Sequence, residues 1–170
     1  MLIQILLHTP AWVFGLFVLL LWVGAKQLLA GSVSLTRVTI LPLAMTGLSV
    51  YGVASAFGNE PMALVAWIAA ALVLVGLVFT RPLPATTRYD AASRRFHLAG
   101  SAVPLALMMG IFFTKYVVGV LLAMHPELRH QTLFALGTGT LYGAFSGIFA
   151  ARALRLWRLA LQAERAEVAA

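Results

Sequence analysis

Five long apolar segments constrain the fold of this chain more than any other feature of its sequence. A helix that crosses a bilayer needs about 20 predominantly apolar residues. Stretches of about that length lie at residues 10–30, 35–57, 61–80, 101–124 and 126–151. Hydrophobic residues make up 62% of the chain and charged residues only 10%, a balance that excludes an ordinary water-soluble domain. We therefore predict an all-α membrane protein, in which a single integral membrane domain forms a bundle of five transmembrane helices.

Proline and serine residues mark the expected helix starts. Pro10, Pro61 and Pro126 each begin an odd-numbered segment, and proline is favoured at the first position of a helix, where its missing N–H costs nothing. Ser34 and Ser101 precede the two even-numbered segments and are candidate N-caps. Because one start signal recurs on alternate segments, all three prolines should lie on the same side of the membrane.

The distribution of lysine and arginine predicts the orientation of the bundle. Ten of the 12 basic residues fall on the side that holds the first and third connections and the C-terminal segment. They are Lys26, Arg37, Arg81, Arg88, Arg94, Arg95, Arg152, Arg155, Arg158 and Arg165. Arg129 lies on the opposite side, so the positive-inside rule predicts an outside N-terminus and an inside C-terminus. The net charge of +7 then reflects this orientation, and we expect no nucleic-acid partner.

The longest expected cytoplasmic loop, residues 81–100, has the pattern of a short hairpin. The β-prone runs 86–89 and 95–98 flank the polar residues 90–94, which is typical of two strands and a turn. An isolated hairpin is marginally stable in water, so this one should lie against lipid headgroups or helix ends; a solvated irregular loop is the alternative. Its basic residues should face anionic lipid headgroups, and residues 152–164 should extend the fifth helix into the cytoplasm.

Small residues recur at every fourth position along the fifth segment. They are Ala135, Gly139, Gly143, Gly147 and Ala151. Such a stripe lets two helix backbones approach closely within a membrane. Two partners for this stripe remain open: the fifth helix of a second copy, which would make a homo-oligomer, or another helix of the same chain.

Lys115 is the one basic residue deep inside an expected span, and none of the spans contains an Asp or Glu that could pair with it. A lysine at this depth, about 13 Å from the outer end of its helix, costs a few kcal/mol. Its side chain could snorkel outward to headgroups or to Glu60 or Glu127, lose its proton, or bind an anionic ligand. Polar residues at similar depth are candidates for the same ligand site. They are Ser49, Tyr51, Thr114, Tyr116, Thr138 and Tyr142.

Histidine residues gather on the expected outer face. His8, His125 and His130, together with Glu127, are weak candidates for a zinc or copper site, because their spacing matches no firm ligand pattern. The chain has no cysteine, which excludes disulfides, thiolate ligands, iron–sulfur clusters and covalently attached c-type haem. We expect no cofactor.

Several motifs spread along the whole chain are those of one family. They are His8–Val13, Leu41–Met45, Arg88–Asp90, Arg95–Phe96, Gly100–Leu105, Ile111–Tyr116, Tyr142–Phe149 and Ala151–Arg152. With these motifs the chain resembles a family of bacterial inner-membrane proteins of about the same length, catalogued as a domain of unknown function. The resemblance implies a five-span protein of the bacterial inner membrane. Its motifs include Lys115 and part of the small-residue stripe, and it implies no activity.

Three functions fit these features. The first is a small permease or ligand-binding membrane protein that takes an anionic or amphipathic solute at Lys115. The second is a non-catalytic accessory or scaffolding subunit that packs through the fifth helix and presents its basic loop and tail to a cytoplasmic partner. The third is a metal or redox protein that uses the outer histidines. The sequence contains no serine-hydrolase, metalloprotease or phosphate-loop motif, which favours a non-enzymatic function.

Overall fold

The computed structural model describes residues 9–58 and 60–168, with side chains through residue 166. The helices are α1 Ala11–Lys26, α2 Leu35–Phe57, α3 Pro61–Phe79, α4 Val103–Met124 and α5 Thr132–Val168. The strands are β1 Gly31–Ser34, β2 Arg88–Asp90 and β3 Arg95–Leu98. A 3-10 helix covers Pro126–His130. Within these residues, α2 to α5 are long and apolar enough to cross a membrane, and α1 is a shorter apolar helix. The chain is therefore mostly helical, and its apolar helices fit a multi-pass membrane protein.

Large apolar side chains cover the outer faces of these helices. Examples are Trp22 on α1, Leu43 on α2, Leu72 on α3 and Phe113 on α4, all of which are exposed. Soluble monomers seldom expose apolar surface on this scale. The exposed surface therefore matches helices that are surrounded by lipid hydrocarbon.

The predicted start signals act at several helix ends. Pro61 occupies the first turn of α3, and α1 begins directly after Pro10. Ser34 caps α2, because its hydroxyl oxygen accepts a hydrogen bond from the backbone N–H of Arg37 at 3.3 Å. The N-cap of α4 is Ala102 and not Ser101 as predicted; Ser101, one residue earlier, accepts a hydrogen bond from the N–H of Val103 at 3.3 Å.

Several helix boundaries differ from the sequence prediction, among them the end of α5, which lies at Val168 rather than at residue 164. The fifth long helix begins at Thr132 rather than at Pro126, because Pro126 starts a 3-10 helix instead. Hydrogen bonds between residues three apart, such as that from the N–H of Leu128 to the carbonyl of His125 at 3.1 Å, define that turn. The first helix ends at Lys26 rather than near residue 30, since the chain turns there and enters β1.

A three-stranded antiparallel sheet lies between the helices at one end of the bundle, which we call the sheet end. β3 is central and pairs with β2 and with β1. The β2–β3 hairpin is the one expected from the sequence, whereas β1 was not expected. At the turn, Arg94 adopts a φ of 50°, and the Asp90 carboxylate accepts hydrogen bonds from the Ala92 N–H and the Ser93 hydroxyl. The third strand supplies the support that an isolated hairpin lacks.

The sheet packs against the extension of α5 beyond residue 151. Phe96 of β3 is fully buried, and it forms an apolar cluster with Val38 of α2 and Ala160 of α5. Trp157 of α5 donates a hydrogen bond from its indole Nε1 to the hydroxyl of Thr39 at 3.0 Å. The extension of α5 is therefore part of a packed unit with the sheet and the start of α2.

The remaining helices pack in two groups. α5 makes its most extensive contact with α3 and also packs against α2, while α1 packs against α4. At the sheet end of the bundle the two groups meet in an apolar cluster that includes Leu107 and Met108 of α4 and Phe149 of α5. The opposite end, which holds the α2–α3 connection and the 3-10 helix, we call the short-loop end. There the groups meet in a second apolar cluster, in which Val118 and Leu122 of α4 pack with Val53 and Phe57 of α2.

The small-residue stripe of α5 faces α3 of the same chain. A Cβ atom at Gly139, Gly143 or Gly147 would collide with the backbone carbonyl of Ala63, Trp67 or Ala71, respectively. Ala135 and Ala151, at the two ends of the stripe, are fully buried. The structure therefore supports the intramolecular alternative for this stripe, and a second copy would have to use another face of α5.

Candidate ligand-binding site

An elongated cavity of about 640 Å³ lies between the two helix groups. Residues of α1, α2, α4 and α5 line it, together with Thr9 and Pro10 before α1. Along α4 the lining runs from Met108 to Met124, which corresponds to about 24 Å of helix. The cavity thus follows the bundle axis over most of the thickness of a hydrocarbon core, about 30 Å.

The lining is apolar except for a few side chains near its middle and at its short-loop end. Among the described residues that line it, Lys115 alone is charged, and Thr9, Ser49, Tyr116 and Tyr142 carry hydroxyl groups. Aliphatic, methionine and aromatic side chains form the other walls. Ligand pockets have this character, with mostly apolar walls and a few polar groups that fix orientation.

Lys115 reaches across the cavity from α4 to α2. Its Nζ atom donates a hydrogen bond to the backbone carbonyl of Leu48 at 3.2 Å and lies 5.9 Å from the ring centroid of Tyr142. A Cβ atom at Gly52, one turn beyond Leu48, would lie 3.1 Å from this Nζ. The ammonium group therefore occupies space that Gly52 leaves open, rather than extending toward Glu60 or Glu127. Sequence reasoning missed Gly52 because nothing in the sequence pairs it with Lys115.

Tyr142 is held in place by a hydrogen-bonded chain that joins three helices. The hydroxyl of Ser49 on α2 accepts a hydrogen bond from Trp67 Nε1 at 2.9 Å and donates one to the backbone carbonyl of Tyr142 at 3.3 Å. Ser146 donates to the same carbonyl at 2.9 Å. These bonds fix the backbone of α5 beside Lys115, so the aromatic ring that faces the ammonium group is rigidly placed.

The short-loop end of the cavity is crossed by a contact between Thr9 and Tyr116. Their hydroxyl groups are 2.7 Å apart. The Tyr116 ring lies parallel to that of Phe112, with ring centroids 6.3 Å apart, and Phe112 contacts Phe17 of α1. This aromatic row joins α4 to α1 along one wall of the cavity.

The predicted ligand-site residues divide into two sets. Lys115, Tyr116, Ser49 and Tyr142 line the cavity. The other three, Tyr51, Thr114 and Thr138, are not among its described lining residues. Tyr51 is 71% exposed, since it lies about 200° around α2 from Ser49, and Thr138 is buried among helices. Similar depth in the membrane was therefore an insufficient criterion, because the direction around each helix decides which side chains meet.

Of the histidines that the sequence analysis assigned to the outer face, His125 pairs with a carboxylate in the described part of the chain. His125 Nδ1 lies 3.0 Å from Glu127 Oε1, and both side chains are exposed. A hydrogen bond from its own backbone N–H and one from His125 lower the pKa of Glu127 below its usual value. No three histidine, aspartate or glutamate side chains cluster among the residues that were placed. His130 joins no such group, and His8 lies outside the described residues.

Comparison with known proteins adds one match. A family model described as a family of unknown function, DUF6622, matches residues 1–168, nearly the whole chain, as the sequence motifs predicted. No curated protein and no solved structure matches the chain.

Proposed function

Since the chain belongs to a family of unknown function, DUF6622, we propose a function from the geometry of its cavity: it is a multi-pass membrane protein that binds an amphipathic ligand with an anionic headgroup. Lys115 holds the headgroup, and the apolar walls between α1, α2, α4 and α5 hold the rest of the ligand. The observation that carries this proposal is the position of Lys115, the one charged side chain among the described lining residues, within a largely apolar cavity.

The energetic argument starts from the cost of placing a lysine at this depth. An ammonium group inside the hydrocarbon region costs a few kcal/mol, and its three N–H groups are all donors. The carbonyl of Leu48 takes one of these donors, and the face of the Tyr142 ring adds a cation–π contact of about 0.5–2 kcal/mol. An anionic headgroup offsets the remaining cost, because it supplies both opposite charge and hydrogen-bond acceptors.

The size of the cavity supports the same function. Sites for small molecules and cofactors typically enclose about 300–1,000 Å³, and this cavity of about 640 Å³ lies within that range. A lysine that served only to snorkel would need no cavity beside it.

The location that we propose is the bacterial inner membrane, with the N-terminus outside and the C-terminus inside. This orientation is supported by the basic residues, most of which gather at the sheet end, as the positive-inside rule requires of the cytoplasmic face. The arginines of the sheet and of the α5 extension then contact anionic lipid headgroups.

The test compares the ligands that remain bound to purified protein in native mass spectrometry. We expect the parent protein to retain an anionic amphiphile and Lys115→Gln to lose it while it keeps its fold. Lys115→Arg should retain the ligand in part. The positive charge remains, but the guanidinium group is larger than the ammonium group and does not fit the space beside Gly52 and Leu48 in the same way.

Lys26→Gln is the matched control for this test. Lys26 lies in the last turn of α1 with its Nζ 3.6 Å from the centroid of the Trp22 ring, and it is not among the described residues that line the cavity. Its substitution removes the same charge elsewhere and should leave ligand retention unchanged. If Lys115→Gln retained the same ligand mass as the parent, the proposal would be wrong.

A second function, that of an accessory subunit, is favoured by the sheet end. Within the described residues, the arginines there form no ion pair with a carboxylate, so a structured basic surface is left for an acidic partner. Under this alternative, replacing Arg88 and Arg95 by glutamine disrupts the assembly while Lys115→Gln has no effect. Under the ligand-binding function, Lys115→Gln has an effect, and replacing Arg88 and Arg95 by glutamine has none.

A further inference from the structure

The cavity is open along part of its wall, and its volume matches one hydrocarbon chain. A cavity of about 150 Å³ accommodates benzene, so on the same scale the 640 Å³ available here accommodates about 25 non-hydrogen atoms. A long acyl chain with its carboxylate has roughly 20 such atoms, and a diacyl phospholipid has roughly 50, about twice what this volume holds.

The charge of the lining restricts the headgroup. Lys115 is the one cation among the described lining residues, and none of them carries a carboxylate. A headgroup with one negative charge is neutralised by this lysine. A headgroup with two negative charges would leave one unpaired among apolar walls, which is costly, and a cationic headgroup would be repelled.

The donors around Lys115 suit a carboxylate. One of its three N–H groups is directed to the carbonyl of Leu48, which leaves two for a carboxylate, whose two oxygens only accept hydrogen bonds. Apolar side chains line α4 on both sides of Lys115, with Ile111 and Met108 in one direction and Val120 and Ala123 in the other. Hydrocarbon attached to the headgroup can therefore pack against apolar side chains on either side of Lys115.

We infer that the ligand of this cavity is a single-chain lipid with one negative charge, of the class of the long-chain carboxylates. This inference rests on the proposed function and narrows it, because it ranks diacyl lipids, dianionic headgroups and neutral amphiphiles below a single-chain lipid with one negative charge.

The experiment measures binding to the full chain in nanodiscs of phosphatidylcholine, with palmitate, hexadecanol, hexadecyl phosphate and phosphatidylglycerol as probes. We expect palmitate to bind once per chain. Hexadecanol should bind roughly 10- to 100-fold more weakly, the effect of losing a hydrogen bond to a charged group. Lys115→Gln should reduce the affinity for palmitate to that for hexadecanol, whereas Lys26→Gln should leave the affinity for palmitate unchanged.

The outcomes separate this inference from the proposed function. If phosphatidylglycerol or hexadecyl phosphate binds more tightly than palmitate and depends on Lys115, the inference is overturned and the proposed function remains. If no anionic probe shows binding that depends on Lys115, both are overturned.

A matched pair of glycines tests the size argument without disturbing the fold. A Cβ atom at Gly119 or at Gly76 would meet nothing within 4 Å, but Gly119 lines the cavity and Gly76 lies on α3. We expect Gly119→Leu to weaken palmitate binding at least tenfold at unchanged thermal stability, and Gly76→Leu to change neither. Equal palmitate binding by Gly119→Leu and the parent would overturn the placement of the chain in this cavity.

Discussion

The position of the Lys115 ammonium group depends on the absence of a side chain at residue 52. Gly52 leaves the Leu48 carbonyl open to α4, and the Nζ atom occupies the resulting space. A methyl group there would lie 3.1 Å from Nζ, which is closer than ordinary van der Waals contact. Because the contacted atom is the end of a flexible side chain, the lysine can move away at little cost to the fold.

We therefore predict that Gly52→Ala weakens the binding of an anionic amphiphile several-fold while thermal stability stays within about 1 kcal/mol of the parent, or rises through the higher helix propensity of alanine. Binding and unfolding measured in the same nanodiscs provide the check. Gly47→Ala on the same helix is the control, since a Cβ there meets nothing within 4 Å. Equal loss of binding in both variants would contradict the role given to Gly52.

At the level of single residues, the sequence indicated which polar side chains lie at the depth of Lys115 but not in which direction they point. Lys115 stood out because a charge in an apolar span is costly, and Ser49, Tyr116 and Tyr142, which were grouped with it by depth, line the same cavity. Tyr51 was misplaced because a helix turns by about 100° per residue, so depth does not fix direction. Gly52 was missed because the space that it leaves for the Lys115 side chain depends on a contact between residues far apart in the sequence.

Among the elements, the pair of α3 and α5 depends on close backbone approach. A Cβ atom at Gly143 would collide with the backbone carbonyl of Trp67, and a backbone atom cannot move aside as a side-chain tip can. We predict that Gly143→Leu destabilises the bundle by about 1–3 kcal/mol or more, measured as a fall in the unfolding midpoint in nanodiscs.

Gly137→Leu provides the comparison on the same helix. Gly137 is exposed, and a Cβ there meets nothing within 4 Å, so this variant should be as stable as the parent. If the two leucine variants unfolded at the same temperature, the stripe would not hold α3 and α5 together.

The sheet depends on one aromatic side chain. Phe96 is fully buried between the strands and α5, and its ring centroid lies 4.8 Å from that of Tyr89. Removing a buried aromatic side chain typically costs about 3–5 kcal/mol, and a small sheet depends on a buried apolar face of this kind for its stability. We predict that Phe96→Ala opens the sheet, seen as faster hydrogen exchange of the β3 amides, while the helices of the bundle stay protected. His97→Ala, on the exposed face of the same strand, should exchange like the parent.

The elements that sequence reasoning identified are those with local signals. The length of the apolar segments predicted the long helices, and Ser34 and Pro61 predicted where two of them begin. β1 was missed because its stability comes from pairing with β3, more than sixty residues away in the chain, and its residues Gly31–Ser34 are too few to show a strand pattern. The 3-10 helix was missed because proline begins an α-helix and a 3-10 turn equally well.

For the whole molecule, the orientation in the membrane follows from where charge and short connections lie. The sheet end carries most of the basic residues, and the short-loop end carries the exposed pair of His125 and Glu127. We predict that a reporter fused after Phe57 is located outside and one fused after Leu98 is located inside, as measured by paired alkaline phosphatase and fluorescent protein activities. The reverse pattern would contradict the orientation.

The unbroken helix α5 connects the cavity to the sheet. It runs without a proline from Thr132 to Val168, and it carries Tyr142 in the cavity and Ala160 in the sheet cluster. These two residues are about 27 Å apart along the helix axis. A tilt of α5 by about 5° around Tyr142 would therefore displace Ala160 sideways by about 2 Å, so the close packing of α5 on α3 also keeps the sheet in place relative to the cavity.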